Sequence, residues 1–278
     1  ALQGDPLSLA RLGCLLLRYL HIGRAGQLLF LALVIGWSPW AELMAGYYIL
    51  SSYTAIAALG FAAIWAYRRW RDTAFRWHAA LAIGCTMTAT LIDVSGWYVP
   101  AALVVFLAAD YFSGASTRGW LATHRGLLIA LGVTTLASLG CALVAYTVLH
   151  PGTFLRMGDG GTRSPGRLVA DFVYLFDVGL LGSLVVPYVY ARLPAPMLVA
   201  LASIVALAGI WFARRVFRSA ARSERITLLA CAMVLAGTCL MVNLGRPSGE
   251  AFVVRWATKH VLPGYLWLCL CIAAGWSV

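Results

Sequence analysis

The residues best suited to chemistry lie in one short stretch, Val254-Arg255-Trp256-Ala257-Thr258-Lys259-His260. Lys259 is the only lysine among 21 basic residues; the rest are arginine. Lys259 and His260 follow Arg255 by four and five positions, so on a helix all three fall near one face. Three such groups beside lipid are costly unless something anionic meets them. A phosphate suits them, and they would stabilise a departing phosphate as charge builds on it. The plainer account is a basic helix flank that snorkels to the membrane interface. Both accounts stand at this point.

Three carboxylates are candidates for a general base that takes a proton from an acceptor hydroxyl. Asp5 precedes Pro6, Glu42 follows Pro39, and Asp93 opens Asp93-Val94-Ser95-Gly96 between two apolar runs. Each has a plainer role as well. Asp5-Pro6 reads as a helix start. Glu42 suits a helix N-terminus. Asp93 suits a turn. Asp171 and Asp177 are six apart and point to different faces, which fits interfacial solvation. The chain carries no Walker motif, dinucleotide fingerprint, zinc motif or nucleophile elbow. No metal site is expected. The seven cysteines all lie in apolar runs and read as small buried hydrophobes.

The elements that must position these groups are membrane helices. Hydrophobic residues make up 62% of the chain and charged residues 11%, with a mean hydropathy of +0.84. Soluble domains carry about 25% charged residues. A spanning helix needs about 20 apolar residues, and several runs approach that length. The alternating runs of a barrel are absent. The expected fold is all-α: a polytopic integral membrane bundle of roughly eight membrane helices, several of them short. An interfacial helix is expected near 168–190. Residues 1–278 read as a single transmembrane domain. The chain starts at Ala1 and its first helix begins almost at once, so it is expected to be part of a longer protein. The net charge of +11 fits basic cytoplasmic loops and not nucleic-acid binding. Arginine and alanine usage suggests a high-GC bacterial gene, hence the inner membrane of a bacterium.

Apolar runs cover 7–20, 27–37, 45–67, 77–92, 97–111, 126–149, 168–190, 197–213, 226–244 and 261–278. The runs 77–92 and 97–111 are short and read as a helical hairpin, and 118–125 reads as a basic loop. The positive-inside rule then orients the chain. Loops 18–24, 68–76, 118–125 and 214–225 hold 13 basic residues and are placed in the cytoplasm. Segments 37–46, 93–97, 150–192 and 246–260 hold 7 and are placed outside. This works if 168–190 does not cross, which suits Asp171 and Asp177. Six of the ten acidic residues and the Arg255 cluster then share the outer face. Tryptophans and tyrosines near run ends, among them Trp97, Tyr98, Trp120 and Tyr265, read as an aromatic belt.

A family resemblance rests on four stretches. They are Leu28 to Leu33 followed by Ser38-Pro39-Trp40-Ala41-Glu42, then Leu91 to Asp110 with Asp93 and Pro100, then Gly182 to Tyr190 with Pro187, then Arg255 to Trp267. Together they resemble the polytopic GT-C glycosyltransferases of the protein mannosyltransferase and arabinosyltransferase-like type. The resemblance implies an inverting transfer from a polyprenyl-phosphate-linked sugar to a glycan or protein acceptor on the extracytoplasmic face. It implies no certain cofactor. It departs from the family where a catalytic aspartate is expected in the first outer loop, since only Asp5 stands near that place. The lysine of the family's Ser-Lys-Glu break is also missing here. Two rivals are a lipid or small-molecule transporter or flippase, with charges at mid-depth and internal repeats, and a membrane acyltransferase, with a deep histidine base.

Overall fold

The computed structural model describes residues 6–19, 22–35, 47–92, 94–113, 117–144, 194–245 and 262–276, with residues 148 and 166 besides. The helices are α1 (Pro6–Tyr19), α2 (Arg24–Ile35), α3 (Tyr47–Thr73), α4 (Arg76–Ile92), α5 (Tyr98–Phe112), α6 (Thr117–Val144), α7 (Ala195–Ser219), α8 (Arg222–Gly245) and α9 (Leu262–Trp276). A single 3-10 turn, Val94–Trp97, joins α4 to α5. No strand occurs among the described residues. The all-helical class expected from composition is therefore present.

α3 is the centre of the bundle. It reverses into α4 through Ala74, whose φ of 55° is left-handed. The Ala74 amide closes the helix by bonding the Trp70 carbonyl at 2.7 Å. A left-handed residue past the last turn is a common helix stop, usually filled by glycine. The pair α4 and α5 does not pack as a hairpin on itself. α4 lies chiefly against α3 and also against α6, whereas α5 lies chiefly against α8 and also against α3. The reason is visible at Gly96, where a Cβ would collide with the Ala89 carbonyl. The chain turns tightly there and hands α5 on to α8 and α3. Tyr98 at the start of α5 hydrogen-bonds the Ile56 carbonyl of α3 at 3.2 Å.

The core is aromatic at its middle. Trp267 of α9 is fully buried, with its ring 5.4 Å from Phe61 and 5.9 Å from Phe106. Phe30 of α2 lies 6.3 Å from Phe61 on the same level. Tyr98 and Tyr265 are buried, not part of a surface belt. Each is buried because its hydroxyl finds a backbone carbonyl, Ile56 for Tyr98 and Leu33 for Tyr265. Cys85, Cys231 and Cys269 are buried as expected, whereas Cys141 is exposed. It lies on the outward face of α6.

The helix directions follow from paired contacts. α5 starts beside Ile56 and ends with Asp110 beside Arg68 and Arg71, so it runs parallel to α3. α6 starts with His124 beside Trp70 and later bonds Thr90 of α4 through Ser138, at 2.8 Å. On α8, Cys231 sits by Cys271 of α9 and within electrostatic reach of Arg68. Gly275 of α9 faces Phe212 and Val216 of α7. Tyr265 and Leu33 meet at the opposite level, which orients α2 away from its Arg24 start. The arginine-bearing turns after α1, α3 and α7 and before α6 therefore gather at one end of the bundle.

One stretch, Ala122–Cys141 of α6, is long and apolar enough to cross a membrane. Its 20 residues give about 30 Å of helix. Other apolar helices among the described residues (Arg24–Val34, Tyr98–Phe112, Arg225–Thr238 and Gly264–Trp276) are shorter than the roughly 20 residues of a full span. α6 starts nine residues before the apolar run at 126 and takes in the expected basic loop. Stacking of Trp120 on His124, one turn apart, holds that first stretch helical. The segment 168–190, expected at the interface, lies outside the described residues.

Candidate functional site

The residues singled out in the sequence as catalytic or phosphate-binding lie outside the described residues: Asp5, Glu42, Asp93, Arg255, Lys259 and His260. The structure does place the helix ends that lead to five of them. Ile35 and Tyr47 flank the Glu42 segment, Ile92 and Val94 flank Asp93, and Gly245 and Leu262 flank the Arg255 cluster. By the helix directions given above, these ends all lie away from the arginine turns.

At the arginine end the structure assembles a polar cluster that sequence reasoning missed. Tyr67, Arg68 and Arg71 occupy the last turns of α3, spaced so that all three reach one neighbouring helix. That neighbour is α5, and Asp110 lies in its last turn, two residues before its final residue Phe112. Asp110 Oδ1 accepts from Arg68 Nη1 at 3.0 Å and from Arg71 Nη1 at 2.8 Å. Its Oδ2 accepts from the Tyr67 hydroxyl at 2.5 Å. Arg71 also donates from Nε to Asp72 at 3.0 Å. Ser113 closes α5 by donating to the Asp110 carbonyl at 2.8 Å.

The electrostatics explain the composition. A carboxylate at a helix C-terminus opposes the dipole, and a buried charge is costly without partners. The side chains of Arg68 and Asp110 are each only 8% exposed. Two guanidiniums and a phenol offset both penalties at Asp110. Arg68 further lies 5.5 Å over the Phe106 ring, a cation–π contact on its apolar side. Burial works against the charge of Arg71, but the adjacent Asp110 and then Asp72 outweigh it and raise its pKa.

This chemistry is that of a lock. An ionised carboxylate offers about four lone-pair sites, and three are occupied by side chains of α3. The cluster therefore holds a carboxylate and does not present one to a substrate. Next to it stands an aromatic box. The His124 ring stacks on Trp120 at 4.3 Å and takes the edge of Trp70 at 5.1 Å. His124 Nδ1 meets the Trp120 carbonyl at 2.9 Å, which assigns the proton to Nδ1 in the neutral ring. His124 is 5% exposed and is buried against these rings. Among the described residues, no three His, Cys, Asp or Glu side chains come together as a metal set.

The signal for the cluster existed in the sequence. Asp110 is the only acid in the run 97–111, and Arg68 and Arg71 share a helix face. The loop charges already made α3 and α5 parallel, but nothing local said that Asp110 would face Arg68 and Arg71. Comparison with protein-family models, curated proteins and solved structures finds no match for the chain.

Proposed function

We propose that the chain is the multi-pass scaffold of a bacterial inner-membrane glycosyltransferase, acting at the end of the bundle away from the arginine turns. The observation that carries this reading is the shared level of the helix ends that lead to Glu42, Asp93 and the Arg255 cluster. A carboxylate and a cationic group are what an inverting transfer from a polyprenyl-phosphate sugar requires. The acceptor hydroxyl oxygen bonds to the anomeric carbon as the carbon–oxygen bond to phosphate breaks. The hydroxyl proton passes to the carboxylate, with Glu42 and Asp93 as candidates and Asp5 as a third. The polyprenyl phosphate leaves with its charge met by Arg255, Lys259 and His260.

The membrane part of the reading is supported by α6 and by apolar side chains that face outward without protein over them among the described residues. Ile129, Val133 and Leu136 on α6 and Ile204, Leu207 and Ile210 on α7 are more than half exposed. Such contiguous apolar surface is rare on a soluble monomer. A transporter calls for charge at mid-depth; the buried charges among the described residues, Arg68 and Asp110, sit at helix ends. An acyltransferase calls for a deep histidine; His78 and His124 lie at the arginine end.

The test uses membranes that contain the full gene product and a radiolabelled polyprenyl-phosphate sugar. Binding and transfer are expected. Arg255→Ala and Lys259→Ala should each lower transfer by about a hundredfold or more, the usual cost of losing one group that stabilises developing charge. Absence of binding, together with unchanged transfer in both variants, would end the proposal.

A further inference from the structure

The exposed face of α7 changes character along its length. Ile204, Leu207, Trp211, Arg214, Arg215 and Arg218 follow spacings of three, four and seven, so they form one stripe. Ile204, Leu207 and Trp211 are 62%, 66% and 62% exposed. The arginines are exposed too, and the Arg215 guanidinium lies 5.7 Å over the Trp211 ring. α7 contains no acidic residue. Of the acids at the arginine end whose side chains are described, Asp110 is engaged by Arg68 and Arg71 and Asp72 by Arg71; Glu224 stands in the first turn of α8.

The stripe therefore runs from aliphatic to tryptophan to arginine. That is the order of hydrocarbon, interface and headgroup in a bilayer. Trp211 to Arg218 covers about 10 Å of helix rise, enough to cross a headgroup layer. From this order, and resting on the membrane reading above, we infer that the end of α7 binds anionic glycerophospholipid headgroups in the leaflet at the arginine end. Trp211 sets the depth, and Arg214, Arg215 and Arg218 meet the phosphates. Guanidinium groups pair with phosphate oxygens through two parallel donors, which favours a phosphate-rich layer over zwitterionic lipid whose charge is self-neutralised.

The experiment is brominated-lipid quenching of the protein reconstituted in phosphatidylcholine vesicles. Brominated phosphatidylglycerol or brominated phosphatidylcholine is added at equal mole fraction. The contribution of Trp211 is the difference between the parent and Trp211→Phe. Each arginine near an anionic surface gives about a fivefold preference, so local enrichment of phosphatidylglycerol by about fivefold or more is expected. The triple variant Arg214→Gln, Arg215→Gln, Arg218→Gln should bring the two lipids to parity. The corresponding triple lysine variant should keep most of the excess. Equal quenching by the two lipids in the parent overturns the inference and leaves the membrane reading intact. No quenching by either lipid overturns both. Loss of the excess on adding millimolar glycerol phosphate or a short RNA overturns it in favour of a soluble anion site.

Discussion

Removing the Asp110 carboxylate tests whether the α3–α5 lock holds the bundle. Asp110→Ala deletes three hydrogen bonds at once, from Tyr67, Arg68 and Arg71. Arg68 is the costly partner, because its side chain is 8% exposed and cannot regain water without moving. Arg71 is 36% exposed and still has Asp72, so its loss is largely screened by solvent. Breaking a buried pair by removing one member costs about 3–5 kcal/mol. That range is the expected loss for Asp110→Ala, most of it from removing the carboxylate that faces the buried Arg68 guanidinium. The double variant Asp110→Leu, Arg68→Met leaves no buried charge and should recover most of the loss, since an apolar pair of similar volume is often neutral. The assay is reversible unfolding in mixed micelles, followed by tryptophan fluorescence, with the two single variants completing a cycle. A coupling energy of about 2 kcal/mol or more is expected for residues in one buried network. A loss below about 1 kcal/mol for Asp110→Ala would refute the argument, as would strict additivity of the two singles. The lock stands at the end opposite the proposed transfer chemistry, so turnover per folded molecule should stay unchanged in Asp110→Asn.

Three further outcomes are expected. Ala74→Gly should stabilise the α3–α4 turn by about 1 kcal/mol, because alanine at φ 55° carries a left-handed penalty that glycine lacks, and thermal melting reads the gain. Trp267→Ala empties the space between Phe61 and Phe106 and should cost about 3–5 kcal/mol, measured by the same unfolding assay, with Phe61 and Phe106 too constrained to refill it. A cysteine at Ser219, the last residue of α7, should react with a membrane-impermeant maleimide only after cells are opened, with the native thiols replaced by alanine or serine; labelling of intact cells would reverse the proposed orientation.

The sequence by itself determined which stretches are helices and how the arginines are distributed among their turns. Those features are local: in a nonpolar setting a backbone is satisfied by a helix or a closed barrel, and the alternation of a barrel is absent here. The 77–92 and 97–111 runs became α4 and α5 almost residue for residue. Helix ends were less legible, since they depend on partners elsewhere. α3 runs to Thr73, past the expected end at 67, because Asp110 of another helix meets Arg68 and Arg71. α6 begins at Thr117 because His124 packs on Tyr67 and Trp70 and Trp120 packs on Tyr111. The tertiary structure alone decided that α4 and α5 pack on other helices more than on each other, that Tyr98 and Tyr265 are core and not belt, and that Asp110 is the anion for Arg68 and Arg71. Each rests on which helices run parallel and at what level. A periodic apolar pattern gives the face of a helix but carries no record of the helix it will meet.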